Sequence, residues 1–197
     1  LRGHRGARRT HATTRTVMSA GAARSADGVV EAADASEVVA LLRELGWMLG
    51  VAESLTGGLL AAAVVDVPGA STVFRGGIIA YATPLKTTLL GVDAELLREH
   101  GPVHPEVAKQ MAEGVRGACA VEGVPPQVGV STTGIAGPDS PDGQPVGTVH
   151  IGVATPVGTH SVSVSLAGTR QQIREAASRA AIRALRDALR TAGFGNT

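Results

Sequence analysis

Aromatic side chains are nearly absent. One Trp, one Tyr and two Phe make up 2% of the 197 residues, although 44% of the chain is apolar. A core must therefore be built from Ala, Val, Leu and Ile. Cys119 is the only cysteine, which excludes an intrachain disulfide and a cysteine metal cluster. It fits a reducing compartment, and a cytoplasmic protein is expected. No apolar run approaches the roughly 18 residues needed to cross a bilayer, so no membrane partner is expected. Lysine is also scarce, with only Lys86 and Lys109 against 16 arginines.

The net charge of +1 conceals an asymmetry. Six arginines and no acid fall within residues 1–26. The rest of the chain then holds 12 Lys and Arg against 17 Asp and Glu, a net charge of −5. An acidic body argues against nucleic acid as a partner, because neutralising phosphates needs a basic face. Residues 1–35 are low in large apolar side chains and are expected to be a disordered basic tail, or an upstream extension of a chain starting at Met18. The Arg, Ser and Thr bias of this segment also admits a transit-peptide reading. It lacks the long apolar stretch of a secretory signal.

The length suits one domain, placed at residues 36–193. The apolar spacing predicts a helix over Ser36–Leu45, capped by Ser36 and stopped by Gly46. Trp47–Glu53 reads as a buried strand and Thr56–Val65 as a helix. Phe74–Tyr81 reads as a second strand, followed by short helices over Pro84–Leu90 and Asp93–Glu99. Pro105–Val121 has one apolar face and a proline suited to the first helical position. Gln127–Thr132 is a third buried strand. Gly134–Gly147 is a long Gly/Pro-rich loop, of a length that points to function. Thr148–Ala154 and Thr159–Leu166 form a hairpin. A last helix over Thr169–Thr191 turns Ile173, Ala177, Ala181, Leu185 and Leu189 inward and its arginines outward. This order implies an α/β fold, a three-layer α/β/α sandwich with a mixed, mainly parallel sheet.

Four stretches carry candidate chemistry. In Ala52-Glu53-Ser54-Leu55-Thr56-Gly57-Gly58 a buried strand ends at a serine just before a helix. The unpaired N–H groups of a helix start can hold an anion or an oxyanion. The alternative is a plain helix cap. No histidine is placed by spacing to act as base for Ser54. Lys86 is the other candidate, because a desolvated lysine can act as a neutral base and arginine cannot. The alternative is a surface lysine on a short helix. Thr132-Thr133-Gly134-Ile135-Ala136-Gly137-Pro138 leaves a strand end, where ligands bind in open α/β sheets. Gly168-Thr169-Arg170 opens the last helix, where Arg170 is suited to a phosphate or carboxylate.

These stretches, in this order, resemble the CinA C-terminal domain family, the nicotinamide-nucleotide amidases. Gly76-Gly77-Ile78-Ile79-Ala80-Tyr81, Leu90-Gly91-Val92 and Pro145-Val146-Gly147-Thr148-Val149 extend the resemblance over about Val38 to Leu189. The resemblance implies hydrolysis of the carboxamide of nicotinamide mononucleotide to nicotinic acid mononucleotide and ammonia, without metal or cofactor. It implies a Ser54/Lys86 arrangement with Tyr81 in support. Thr56, Gly57, Gly58, Thr133, Gly134, Gly137 and Arg170 are the implied substrate contacts. A homodimer, in the stand-alone form of the family, is expected. Three positions depart from the family pattern: Leu55 replaces a usual cysteine, Thr169 a common acid, and His104 a frequent serine. These departures leave open a catalytically weak or inactive nucleotide-binding or regulatory domain.

Overall fold

The computed structural model of the protein describes residues 26–140 and 143–194. Five strands form one sheet in the order β2-β1-β3-β4-β5. They are β1 (Leu49–Glu53), β2 (Phe74–Ile79), β3 (Val128–Gly134), β4 (Thr148–Thr155) and β5 (Gly158–Ser165). β1 lies between β2 and β3 and is parallel to both. β4 runs antiparallel to β3 and to β5, so four of the five strands share a direction. The sheet is mixed and mainly parallel, as expected.

Among the described residues six α-helices cover its two faces, giving the three layers. α1 (Ala26–Leu45), α2 (Leu59–Val65) and α6 (Arg170–Phe194) pack together on one face. α3 (Thr83–Leu90), α4 (Ala94–His100) and α5 (Pro105–Ala118) lie on the other. Alternation along the strands divides the side chains between the two. Leu49, Val51, Val128, Val130, Val149, Ile151 and Val153 meet Leu42, Ile173, Ile182, Leu185 and Leu189 from the α1–α6 layer. Each fully buried Leu or Ile there contributes about 1.5–3 kcal/mol. Trp47 and Phe74 only edge this core, in keeping with the scarcity of aromatics. Among the described residues no helix is long and apolar enough to cross a membrane.

Two boundaries need correction. α1 begins at Ala26, not Ser36. Ser36 is no cap, since its hydroxyl donates to the Ala32 carbonyl one turn back, at 2.7 Å. The extension is held from outside the segment: Ala35 is buried, and Asp34 pairs with Arg183 and Arg186 of α6. Residues 1–25 of the expected tail lie outside the described residues. The second correction concerns α2, which starts at Leu59, so that 54–58 is a turn rather than helix. Gly46 ends α1 as expected. It has φ 66°, and Trp47 N–H returns to the Leu42 carbonyl at 2.9 Å.

α5 lies unusually close to the sheet. The positions beneath it are Gly50, Ala52, Gly129, Ser131 and Gly152. A Cβ on Gly129 would collide with the Ala112 carbonyl, and one on Gly152 with the Ala108 carbonyl. The Ser131 hydroxyl uses the same proximity to donate to the Ala108 carbonyl at 2.6 Å. Backbone on both sides leaves no flexible atom to give way. Gly152→Val should therefore lower unfolding free energy by at least about 2–3 kcal/mol in denaturant titration. Gly117, exposed on α5 with nothing near its Cβ position, should behave oppositely. Gly117→Ala should stabilise by about 0.5–1 kcal/mol. Equal effects at the two sites would contradict this packing.

Candidate active site

The three parallel strands β2, β1 and β3 end side by side. Glu53, the last residue of β1, is in register with Ile79 and Thr132. The next residues continue the pairing: Ser54 N–H donates to the Thr132 carbonyl at 3.0 Å, and Ala80 N–H to the Glu53 carbonyl at 2.8 Å. Ser54 is thus fixed at the carboxyl edge of the sheet, where the chain leaves β1. Strand alternation sends Glu53 to the α2 face and Ser54 toward the face of α3 and α5.

α3 supplies the partner. It starts immediately after β2, with a proline in its first turn, and ends at Gly91 in the left-handed region. Lys86 lies in its middle and points inward, only 1% exposed. Its Nζ donates to Ser54 Oγ at 2.9 Å and to the Ala80 carbonyl at 2.9 Å. Ser54 itself is 9% exposed, so its hydroxyl opens onto a pocket while the amine sits behind it.

That pocket has a volume of about 220 Å³ and brings together Ser54, Lys86, Tyr81, Thr133, Gly134, Gly137 and Arg170. Arg170 spans the mouth. One terminal nitrogen donates to the Gly137 carbonyl at 2.6 Å, the other to Tyr81 Oη at 2.7 Å. The 135–147 loop is tied down on its far side by Gln144, whose Nε2 donates to the Val103 carbonyl at 2.6 Å. Thr133 Oγ1 donates to the Pro102 carbonyl at 2.7 Å. Thr83, Pro102, Val103 and Asp139 also line the pocket and were not foreseen. A larger hollow of about 710 Å³ lies between β5 and α6, lined mainly by Val, Ala and Thr with Arg183 and Asp187 at its edge. Chemistry favours the smaller pocket, which alone holds a hydroxyl against a buried amine.

Thr56, Gly57 and Gly58 do not line the pocket. Thr56 is fully buried, with its hydroxyl 2.8 Å from that of Thr132. The helix start is not open to an anion as expected, because the Gly58 N–H is already taken. That N–H donates to Glu53 Oε2 at 2.9 Å, and the same carboxylate accepts from Leu60 N–H at 3.1 Å and Ala61 N–H at 2.9 Å. Glu53 is 1% exposed and neutralises the start of α2 itself. The only sequence sign was an acid closing an otherwise apolar buried strand. Glu53→Gln should lower stability by about 1–3 kcal/mol, because an amide presents one acceptor oxygen in place of two. Chemical denaturation would show it. An unchanged midpoint would contradict the cap.

The three departing residues are accommodated. Leu55 is buried in the α1–α6 core. His104 caps α5, its Nδ1 accepting from Glu106 N–H at 3.2 Å. Thr169 and Gln172 form a reciprocal cap on α6: Thr169 N–H donates to Gln172 Oε1 at 2.8 Å, and Gln172 N–H to Thr169 Oγ1 at 3.3 Å. No histidine lines the pocket among the described residues. Burial, with His104 nearby, holds the His150 imidazole below its ordinary pKa, as a neutral strand residue hydrogen-bonded to Ser163. Among the described residues no cluster of three or more His, Cys, Asp or Glu could hold a metal ion.

Comparison with known proteins agrees with this architecture. A CinA-like protein from Frankia casuarinae is 47% identical over 160 residues, covering 81% of this chain and 35% of that protein. A putative competence-damage inducible protein from Caldanaerobacter subterraneus subsp. tengcongensis is 48% identical over 139 residues, 70% of this chain and 32% of its own length. The chain thus spans about a third of the curated relatives it matches. The crystal structure of the competence/damage inducible protein CihA from Agrobacterium tumefaciens superposes with a TM-score of 0.76 at 31% identity, covering 86% of this chain and 99% of that one. A CinA superfamily protein from Klebsiella pneumoniae gives 0.75 at 27% identity, covering 82% and 98%. The model of the CinA C-terminal domain matches residues 31–189, and the chain belongs to that family.

Proposed function

We propose that this domain hydrolyses the carboxamide of nicotinamide mononucleotide to nicotinic acid mononucleotide and ammonia, through an ester on Ser54. The observation that carries this reading is the Lys86 Nζ to Ser54 Oγ contact of 2.9 Å with the amine buried. A hydroxyl is a weak nucleophile until a neighbouring base takes its proton. Removing water disfavours the ammonium form of a lysine, which is the direction a base requires.

In the neutral form the Lys86 lone pair accepts from the Ser54 hydroxyl, while an N–H is retained on the Ala80 carbonyl. Ser54 Oγ attacks the carboxamide carbon as its proton passes to Nζ. The tetrahedral intermediate collapses, its C–N bond breaks, and Lys86 returns the proton to the leaving ammonia. Water then attacks the ester as Lys86 takes its proton, the bond to Ser54 Oγ breaks, and Lys86 returns that proton to Oγ as the acid product leaves. Amides of the turn after Ser54 stabilise the oxyanion. With Gly58 engaged by Glu53 and Thr56 wholly buried, that role falls to Leu55, which lines the pocket beside Ser54. Arg170, at the mouth and at the start of α6, suits the phosphate of the nucleotide.

Two variants test the assignment. Ser54→Ala should cut ammonia release from nicotinamide mononucleotide by at least about 10³-fold. Its melting temperature and substrate affinity should stay near those of the parent. Lys86→Arg should be equally inactive despite the retained charge, because guanidinium stays protonated. Substantial release by either variant would remove that residue from the mechanism. Binding without release by the unmodified protein would overturn hydrolysis and leave a ligand-binding domain.

A further inference from the structure

Sequence periodicity places Arg174 among the outward arginines of α6. Its guanidinium instead reaches back under the turn that follows Ser54. Nε donates to the Leu55 carbonyl at 2.8 Å and Nη2 to the Thr56 carbonyl at 2.8 Å. A Cβ on Gly57 would lie 3.2 Å from the same Nη2, so the turn sits directly on the planar group. Two successive carbonyls of the nucleophile turn are therefore held toward α6 by one rigid fork.

Peptide planarity converts that grip into a statement about the amides. In a trans peptide the N–H points opposite to the carbonyl of the same unit. The Thr56 amide shares its plane with the Leu55 carbonyl, and the Gly57 amide with the Thr56 carbonyl. Both N–H groups are thereby turned away from α6. Neighbouring amides are otherwise occupied: Ser54 N–H on the Thr132 carbonyl, Gly58 N–H on Glu53. Gly57 has φ 57°, a left-handed step that gives the clamped turn its shape.

We propose that Arg174 is a positioning residue: by clamping the Leu55 and Thr56 carbonyls it fixes the turn that follows Ser54, and with it the seat of the Ser54 hydroxyl against Lys86. The inference rests on the reading of Ser54 as nucleophile. Without the clamp either peptide can rotate, and the Ser54 hydroxyl loses its fixed distance to Lys86 Nζ. Arg174 touches no reacting atom. Its effect is to remove that freedom before the reaction begins.

The experiment uses the full chain and a fluorophosphonate, which loses fluoride as an activated serine forms a tetrahedral phosphonate ester with it. The site and rate of labelling are read by mass spectrometry, alongside the melting temperature. The unmodified protein should be labelled at Ser54. Arg174→Ala should label about 10²-fold more slowly with its fold retained, and added guanidinium should restore part of the rate. Arg174→Lys keeps the charge but cannot span two carbonyls, and should slow labelling by about tenfold. This conservative variant decides the matter should the alanine variant unfold. Ammonia release should fall in kcat with little change in KM. Parent-like labelling by a folded Arg174→Ala or Arg174→Lys protein would overturn the clamp and leave Ser54 as nucleophile. No labelling of Ser54 in the unmodified protein would overturn both.

Discussion

Glu53 closes β1 with a carboxylate that water hardly reaches. Burying an ionised carboxylate costs several kcal/mol, and three backbone N–H groups at the start of α2 offset that cost. These are charge-assisted hydrogen bonds at the positive end of a helix. The strand end and the helix start are consequently locked together, and the chain between them has one path. Ser54 lies on that path. Its position follows from the packing of β1 between β2 and β3 and from the carboxylate that fixes what comes next.

Each half of the site then comes from a different layer. β1 presents the hydroxyl, while α3, on the opposite face from α2, sends Lys86 to meet it through the end of the sheet. α6 contributes from the third direction. Arg174 grips the turn from below, and Arg170 reaches over the pocket to Tyr81 and Gly137. The glycines under α5 serve the same end at a distance. They let α5 lie on the sheet, and α3 packs against α5.

Much of this was legible in the residues. The buried strand before Ser54, a lone lysine after the next strand and the Gly-rich loop after the third are local patterns, and all three converge on the pocket. What was not legible depends on contacts between distant segments. α1 gains its early turns from Asp34 pairing with two arginines of α6, which no local propensity reports. The apolar run after Thr56 reads as helix, yet the Glu53 side chain defers the helix to Leu59. The helix-start amides read as free for an anion because Glu53, by its pattern, is a strand residue and not their acceptor. Arg174 is indistinguishable by spacing from its solvated neighbours, and only the fold shows that its partners are carbonyls.

The central claim is that carboxamide cleavage passes through an ester on Ser54. Its most direct test is acid quenching of the unmodified protein during the first turnover of nicotinamide mononucleotide, followed by peptide mass spectrometry. Cleavage through Ser54 requires an adduct with the mass of the substrate less ammonia, on the peptide containing Ser54 and absent from Ser54→Ala. Ammonia release with no adduct at any time point, or with an adduct on another residue, would contradict it.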